Sequence, residues 1–295
     1  MRIRELLTSG RPAFSFEFFP PKEENRGQLL DTIVALQELK PTYISVTYGA
    51  GGSTRDLTVE LVGSIKRDYG IETMAHLTCV GASKDEIASV VDRLAAAGIE
   101  NVLALRGDPP RGQTNFAPVA DGFRYGAELA AFIKHRFRLC IAGACYPEKH
   151  PECTSFDDDL LYLRAKVHAG AEFLITQLFF DNQKYFDFVA KARAIGIGVP
   201  IVPGIMPFTN LAQVERITKM CGASIPETLL TEMHRVQDKP DAVLALGVAQ
   251  ATAQCLELLH RGAPGIHFYT LNKSAATRMI LTAIRTVWPP ARYPA

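Results

Sequence analysis

Residues 73–106 read TMAHLTCVGASKDEIASVVDRLAAAGIENVLALR, and they hold one complete unit of the fold. Thr73 to Thr78 is a short β-type run bounded by a turn. Behind it, Ser83 and Glu86 form a capping-box pattern at the start of Lys84 to Ala97. Ile87, Val90, Val91 and Leu94 make an apolar stripe at helical spacing, and Gly98 supplies the stop. A second strand, Asn101 to Arg106, follows at once. Strand, helix and strand within about 30 residues is the size of one βα unit.

The same alternation runs outward in both directions. Further strands are expected at Phe14 to Phe18, Tyr43 to Thr47, Leu139 to Cys145, Phe173 to Leu178, Pro200 to Ile205 and Ile266 to Tyr269, which makes eight. Helical periodicity falls between them at Gln28 to Leu39, Thr54 to Tyr69, Gly122 to His135, Ser155 to Ala169, Gln183 to Ala194, Asn210 to Met220 and Asp241 to His260. Eight alternations predict an α/β fold with a parallel sheet closed into a (β/α)8 TIM barrel. Extra helices are expected before the last strand, at Ile225 to Val236, and after it, at Ser274 to Thr286. No linker or composition break divides residues 1–295, so a single catalytic barrel domain is expected.

Composition narrows the function. Of 295 residues 47% are hydrophobic and 21% charged, and 32 Lys+Arg against 31 Asp+Glu leave a net charge of +1, which argues against a disordered chain or a nucleic-acid binder. No apolar run approaches the roughly 18 residues a membrane span needs, and the start shows no secretory signal. Six cysteines without a Cys-x-x-Cys pair read as buried thiols in a reducing cytoplasm. His150 lies between Cys145 and Cys153 at a spacing that fits no common zinc site, so no metal is expected.

In such a barrel the chemistry collects at the C-terminal ends of the strands, and period-2 alternation shows which side chains face the lumen. In Phe14-Ser15-Phe16-Glu17-Phe18 the phenylalanines share the helix side, so Ser15 and Glu17 face inward. A lumen carboxylate framed by aromatics is expected to have its pKa raised by desolvation, which keeps an acid protonated near neutrality. Glu17 is therefore the first catalytic candidate, with a structural glutamate paired to a basic neighbour as the competing reading. Alternation also turns Ser45, Thr47, His76, Arg106, then Asp108, and Gln177 inward. One inward His or Gln is commonly a satisfied core group, but five or more at one end are hard to explain by packing. The small strand Ile141-Ala142-Gly143-Ala144-Cys145 suits either a planar cofactor against the backbone or a crowded lumen. The Gly-rich segment Tyr48 to Ser53 lacks the third glycine of a dinucleotide fingerprint and is not a Walker loop.

These residues resemble the 5,10-methylenetetrahydrofolate reductase family, FAD-dependent enzymes of one-carbon metabolism that serve methionine biosynthesis. The matching segments are Phe14 to Lys22, Val46 to Ser53, Ala75 to Cys79, Leu105 to Asp108, Tyr146 to Glu152, Thr176 to Asp181, Pro203 to Pro207 and His267 to Asn272. They follow in family order over essentially the whole chain, and its length looks like the bacterial form, a catalytic barrel without the regulatory domain of eukaryotic enzymes.

The resemblance implies a cytoplasmic oxidoreductase that reduces 5,10-methylenetetrahydrofolate to 5-methyltetrahydrofolate with NADH or NADPH, in ping-pong fashion through FAD, and a homo-oligomer. Thr47, Tyr48, Ala50, His76, Arg106, Gly107, Asp108, Tyr125, Gly126, Ala144, Tyr146, His150, Asp159 and Lys166 match positions that hold FAD, with Arg106, His150 and Lys166 suited to its pyrophosphate and adenosine end. Glu17 matches the general acid, Asp108 the carboxylate beside flavin and pterin, and Gln177 a ligand of folate and nicotinamide. Gln213 and Lys273 match outer substrate contacts. Ala165, Tyr162 and Ile217 stand where the family has a basic residue, an asparagine and an aromatic, and the missing cation implies a loosely held flavin. A flavin-free methylenetetrahydrofolate reductase and a pterin-binding methyl-transfer barrel are the alternative readings.

Overall fold

The structure, a computed structural model, describes residues 1–49, 54–108 and 116–287. Its strands are β1 (Ala13–Phe18), β2 (Tyr43–Val46), β3 (Thr73–Thr78), β4 (Asn101–Leu105), β5 (Cys140–Cys145), β6 (Phe173–Thr176), β7 (Ile201–Val202), β8 (Gly204–Ile205) and β9 (Gly265–Tyr269). Neighbours pair in parallel in the order β7-β6-β5-β4-β3-β2-β1-β9-β8. The expected seventh strand is divided at Pro203, which has no N–H to give to a ladder. Its first half, β7, pairs with β6, and its second, β8, with β9. The divided strand thus touches both ends of the sheet and closes the barrel.

The helices are α1 (Ile3–Leu7), α2 (Arg26–Gln37), α3 (Arg55–Tyr69), α4 (Lys84–Ala96), α5 (Gly126–Arg136), α6 (Phe156–His168), α7 (Asn182–Ala194), α8 (Leu211–Cys221), α9 (Glu227–Val236), α10 (Pro240–His260) and α11 (Ala275–Val287). The capping box on α4 forms as the spacing implied: Ser83 Oγ accepts from Glu86 N, and Glu86 Oε2 accepts from Ser83 N at 2.8 Å. At the other end Gly98, at φ 75°, lets Ile99 N reach Leu94 O and Gly98 N reach Ala95 O, a paired-bond stop that an L side chain would strain. The extra helices on either side of the last strand are α9 and α11. By length and apolarity (mean hydropathy 1.5 over 18 residues) α10 could cross a membrane. In this fold it packs along α7, α9 and α11, and Gln254 donates to Phe179 O at 2.9 Å.

Two hydrophobic layers result. Phe14, Phe16 and Phe18 lie with the helix-side core, together with Ile44, Val46, Leu77 and Ala104. Inside the barrel Ala13, Tyr43, Met74, Leu103, Cys140, Phe173 and Val202 fill the lower lumen. The short helix α1, which periodicity did not signal, plugs this floor with Ile3 and Leu7. Ile3 N donates to Asn101 Oδ1 at 2.8 Å, and Arg2 pairs with Glu172 at 2.7 Å. With the floor sealed, the upper lumen is the end left for chemistry.

Candidate active site

Glu17 stands at the top of β1, 8% exposed. Its Oε2 lies 3.2 Å from His267 Nε2 on β9 and 3.4 Å from His76 Nε2 on β3. His267 Nδ1 is 2.8 Å from Ser15 Oγ, two residues below Glu17 on the same strand. Lumen-facing residues of adjacent strands thus form a chain, Ser15, His267, Glu17. Tyr43 stacks on the His267 ring at 6.3 Å, and Tyr269 meets it edge-on at 5.3 Å. His267 was absent from the sequence candidates. Its signal was available, since alternation along Gly265–Tyr269 turns His267 and Tyr269 to the lumen.

The expected pKa of Glu17 needs correction. Burial pushes it up, but the His267 hydrogen bond and the charges of His76 and His267 outweigh burial, and the carboxyl is held below its ordinary range. A lone protonated glutamic acid is not what the lumen holds. It holds a carboxylate set against the His267 imidazole at 3.2 Å.

Burial pulls the His76 pKa down to about 4. Between its ordinary value near 6.5 and about 4, the unfolded chain binds a proton that the folded chain refuses, so stability falls as pH drops through this window. Urea unfolding is expected to show a loss of about 2 kcal/mol between pH 7 and 4.5, beyond that of His76→Asn. Equal losses in both proteins would contradict the buried neutral imidazole.

The remaining candidates surround this centre unevenly. Thr47 follows β2, its carbonyl accepting from Thr58 Oγ1 at 3.0 Å. Burial raises the Tyr48 phenol to about 12; Ala50 lies outside the described residues. Arg106 departs from the expected alternation: Asn101, Leu103 and Leu105 face the lumen on β4, and Arg106 comes after the strand has ended. Gly107 then turns the chain at φ 87°, where a Cβ would meet Val80 Cγ1 at 2.7 Å and Thr78 Cβ at 2.9 Å. Asp108 is left exposed beyond it. Gly126, at the start of α5, packs so tightly on β4 that a Cβ would stand 3.2 Å from Ala104 O and 3.4 Å from Arg106 N. The partly positive helix start therefore sits beside Arg106, while Tyr125 before it is 61% exposed.

The other wall is the turn after β5. Tyr146 and His150 meet edge-on at 4.6 Å. His150 N donates to Asp159 Oδ2 at 3.0 Å, and His150 Nδ1 accepts from Glu152 N at 3.1 Å. Burial lowers the His150 pKa, so the neutral ring carries its proton on Nε2 as a donor. One residue of the small fifth strand is small for a reason outside the lumen. Gly143 faces outward, and a Cβ there would press on Lys166 Cδ at 2.8 Å. The Lys166 chain crosses at that point to donate to Ala144 O at 2.7 Å. Only Ala144 is left partly open at the rim. Gln177 caps β6 with Oε1 accepting from Leu178 N at 2.8 Å. Gln213 is half-buried on α8, and Lys273 is exposed after β9. Tyr162 is 67% exposed and Ala165 exposed on α6; Ile217 packs in the α8–α9 cluster.

Among the described residues no group of three His, Cys, Asp or Glu is placed to hold a metal ion. The donors at the mouth are the Arg106 guanidinium and the α5 helix start on one side and the His150 imidazole on the turn after β5. Within the lumen, the buried Ser45 Oγ, His76 Nε2 and Thr78 Oγ1 have no hydrogen-bond partner among the described residues.

A profile of the methylenetetrahydrofolate reductase family matches residues 2–285. The chain belongs to the methylenetetrahydrofolate reductase family. Among its relatives, "5,10-methylenetetrahydrofolate reductase" of Pectobacterium carotovorum is 37% identical over 266 residues, 90% of this chain and 87% of that protein. "Methylenetetrahydrofolate reductase (NADH) 1" of Arabidopsis thaliana is 40% identical over 92% of this chain. The chain spans about half the length of the plant relatives it matches, 48% in that case. The fold is also similar to a Clostridium thermocellum protein described as binding two copies of 5-methyl-5,6,7,8-tetrahydrofolic acid, at a TM-score of 0.64 and 15% identity, over 97% of this chain and 99% of that one. In this methylenetetrahydrofolate reductase family member, Glu17, His76, Arg106, His150 and His267 all fall on segments that carried the resemblance.

Proposed function

We propose that this chain reduces 5,10-methylenetetrahydrofolate to 5-methyltetrahydrofolate, taking hydride from NAD(P)H by way of FAD, with both substrates using one site in turn. The observation that carries this reading is the buried Ser15–His267–Glu17 chain beneath the strand ends in a member of this family. Arg106, the start of α5 and the His150 Nε2–H are the groups we assign to the FAD phosphates. When bound, FAD supplies the hydride carrier between nicotinamide and folate.

The chain's own residues supply the rest. The methylene bridge of the substrate resists reduction until N10 leaves, and N10 leaves poorly without a proton. Glu17, with His267 behind it, delivers that proton to N10 and yields a 5-iminium cation, the hydride acceptor. Ser15 fixes the His267 ring so that Nε2 stays aimed at the carboxylate. Asp108, exposed at the mouth, places negative charge where the cation forms. Gln177 offers an amide to either substrate.

The direct test is spectroscopic. The purified protein is expected to be yellow, to lose its flavin absorbance on NADH addition without oxygen, and to regain it on addition of 5,10-methylenetetrahydrofolate. A colourless protein that still reduced the folate would favour the flavin-free relative. Replacing Asp108 by Asn removes a charge near the proposed flavin. It is expected to raise the flavin potential, leave reduction by NADH unimpaired or faster, and slow hydride delivery to folate. An unchanged or lowered potential in a dye-coupled titration would contradict this placement.

A further inference from the structure

The wall assigned to phosphate carries an anion of its own. The Arg106 guanidinium is gripped through both terminal nitrogens by Glu152: Nη2 stands 2.6 Å from Oε1, and Nη1 binds Oε2. The Phe116 ring covers the guanidinium at 5.3 Å. Two parallel N–H···O bonds are the arrangement that Arg makes equally with a carboxylate or a phosphate. The partners are unlike in burial. The Arg106 side chain is 22% exposed, the Glu152 side chain 61%.

Glu152 hangs from the turn that bears His150. Its backbone N–H donates to His150 Nδ1, and the turn is tied down by Lys149 Nζ on His150 O at 3.1 Å and by Asp159 on His150 N. The backbone is therefore fixed, while the carboxylate has no hydrogen-bond partner other than Arg106 among the described residues. The pair leaves a removable anion on a partly buried fork.

We propose that Glu152 is an internal stand-in for the cofactor's phosphate, occupying Arg106 when FAD is absent and swinging to solvent when FAD binds. The inference rests on the flavin reading above. Arg106 cannot give the same two N–H groups to both anions, so binding is an exchange of one ion pair for another. The apparent FAD affinity is lowered by the fraction of protein in which Arg106 is already taken. Salt then acts on both sides of the exchange. It screens the pair that FAD must break as well as the pair that FAD makes, so the affinity of the natural chain should vary little with ionic strength. Removing the carboxylate uncovers the full salt dependence of the phosphate contact.

The test is fluorescence titration of the full-length apoprotein with FAD, across salt from about 20 mM to about 500 mM, for the natural chain, Glu152→Gln and Glu152→Ser. Riboflavin, which has no phosphate, is the control ligand. Both variants are expected to bind FAD roughly three- to tenfold tighter than the natural chain at low salt, to converge with it at high salt, and to bind riboflavin equally. Circular dichroism checks that each variant is folded, and the proposal requires only one of them to be. Equal or weaker FAD binding by a folded variant at low salt would overturn it, and would make Glu152 a residue that orients Arg106. A tighter grip on riboflavin to the same extent would also overturn it, because the effect would not run through phosphate. If the natural chain and both variants bind neither ligand, the flavin reading falls and takes this inference with it.

Discussion

Glu17→Gln is expected to slow the folate half-reaction by about two to four orders of magnitude while NADH reduces the flavin at close to the unaltered rate. Only the folate step needs a proton at N10, and glutamine keeps the shape of the side chain without its ability to pass one on. Stopped-flow measurement of each half-reaction separates the two cases. Equal losses in both halves would remove Glu17 from its role. The companion variant is His267→Gln. Losing the 3.2 Å contact and the imidazole charge leaves burial dominant at Glu17, so the carboxyl pKa should rise. The pH limb of folate reduction should then move, with some activity kept. An unmoved limb would mean that the histidine does not share the proton.

How much of this could be read from the chain depends on the range of the signal. Period-2 alternation placed Ser15, Glu17, Ser45 and His76 on the correct face, because parity survives as long as the strand does. It failed at Arg106, because the lumen face of β4 carries Asn101, Leu103 and Leu105, the opposite phase, and the strand ends before Arg106. The capping box at Ser83 and the stop at Gly98 are local chemistry, and both formed as read. Helix α1 is only five residues long, too short to show a period, and its burial depends on a lumen assembled from seven strands.

The pKa of Glu17 was misjudged for a related reason. Burial is written in the strand that bears a residue. The imidazole that counters it comes from β9, 250 residues away in sequence, and reaches Glu17 only because β9 pairs with β1. The reason for Gly143 in the fifth strand is equally nonlocal. Gly143 is small for Lys166, which passes behind it, and that crossing exists only once α6 lies on β5. Side-chain partners on one element were legible, whereas partners across the closure were not.

That closure can be broken with one methyl group. Gly204→Ala is expected to destabilise the protein by roughly 3–5 kcal/mol, combining overpacking with a disturbed buried hydrogen bond. Gly204 opens β8, the half-strand that pairs with β9 after Pro203 divides the chain. A Cβ here would stand 2.4 Å from Thr176 O, 2.6 Å from Tyr269 Cε2 and 2.8 Å from Tyr269 Oη. Thr176 O is backbone of β6 and cannot turn aside. It is also the acceptor of the Tyr269 hydroxyl at 2.6 Å, while Thr176 Oγ1 accepts from Gly204 N at 2.9 Å. The methyl group therefore strikes the contacts joining β6, β8 and β9, next to the Tyr269 ring that supports His267. Gly27→Ala is the matched control. Gly27 lies in the first turn of α2 with nothing within 4 Å of a built Cβ, so alanine should add about 0.5–1 kcal/mol. Urea midpoints of both variants decide the matter, with m-values checked for constancy. If Gly204→Ala unfolds at the same midpoint as the natural chain, the barrel does not depend on this close approach, and the joint at Pro203 must be held by the β7–β6 and β8–β9 ladders alone.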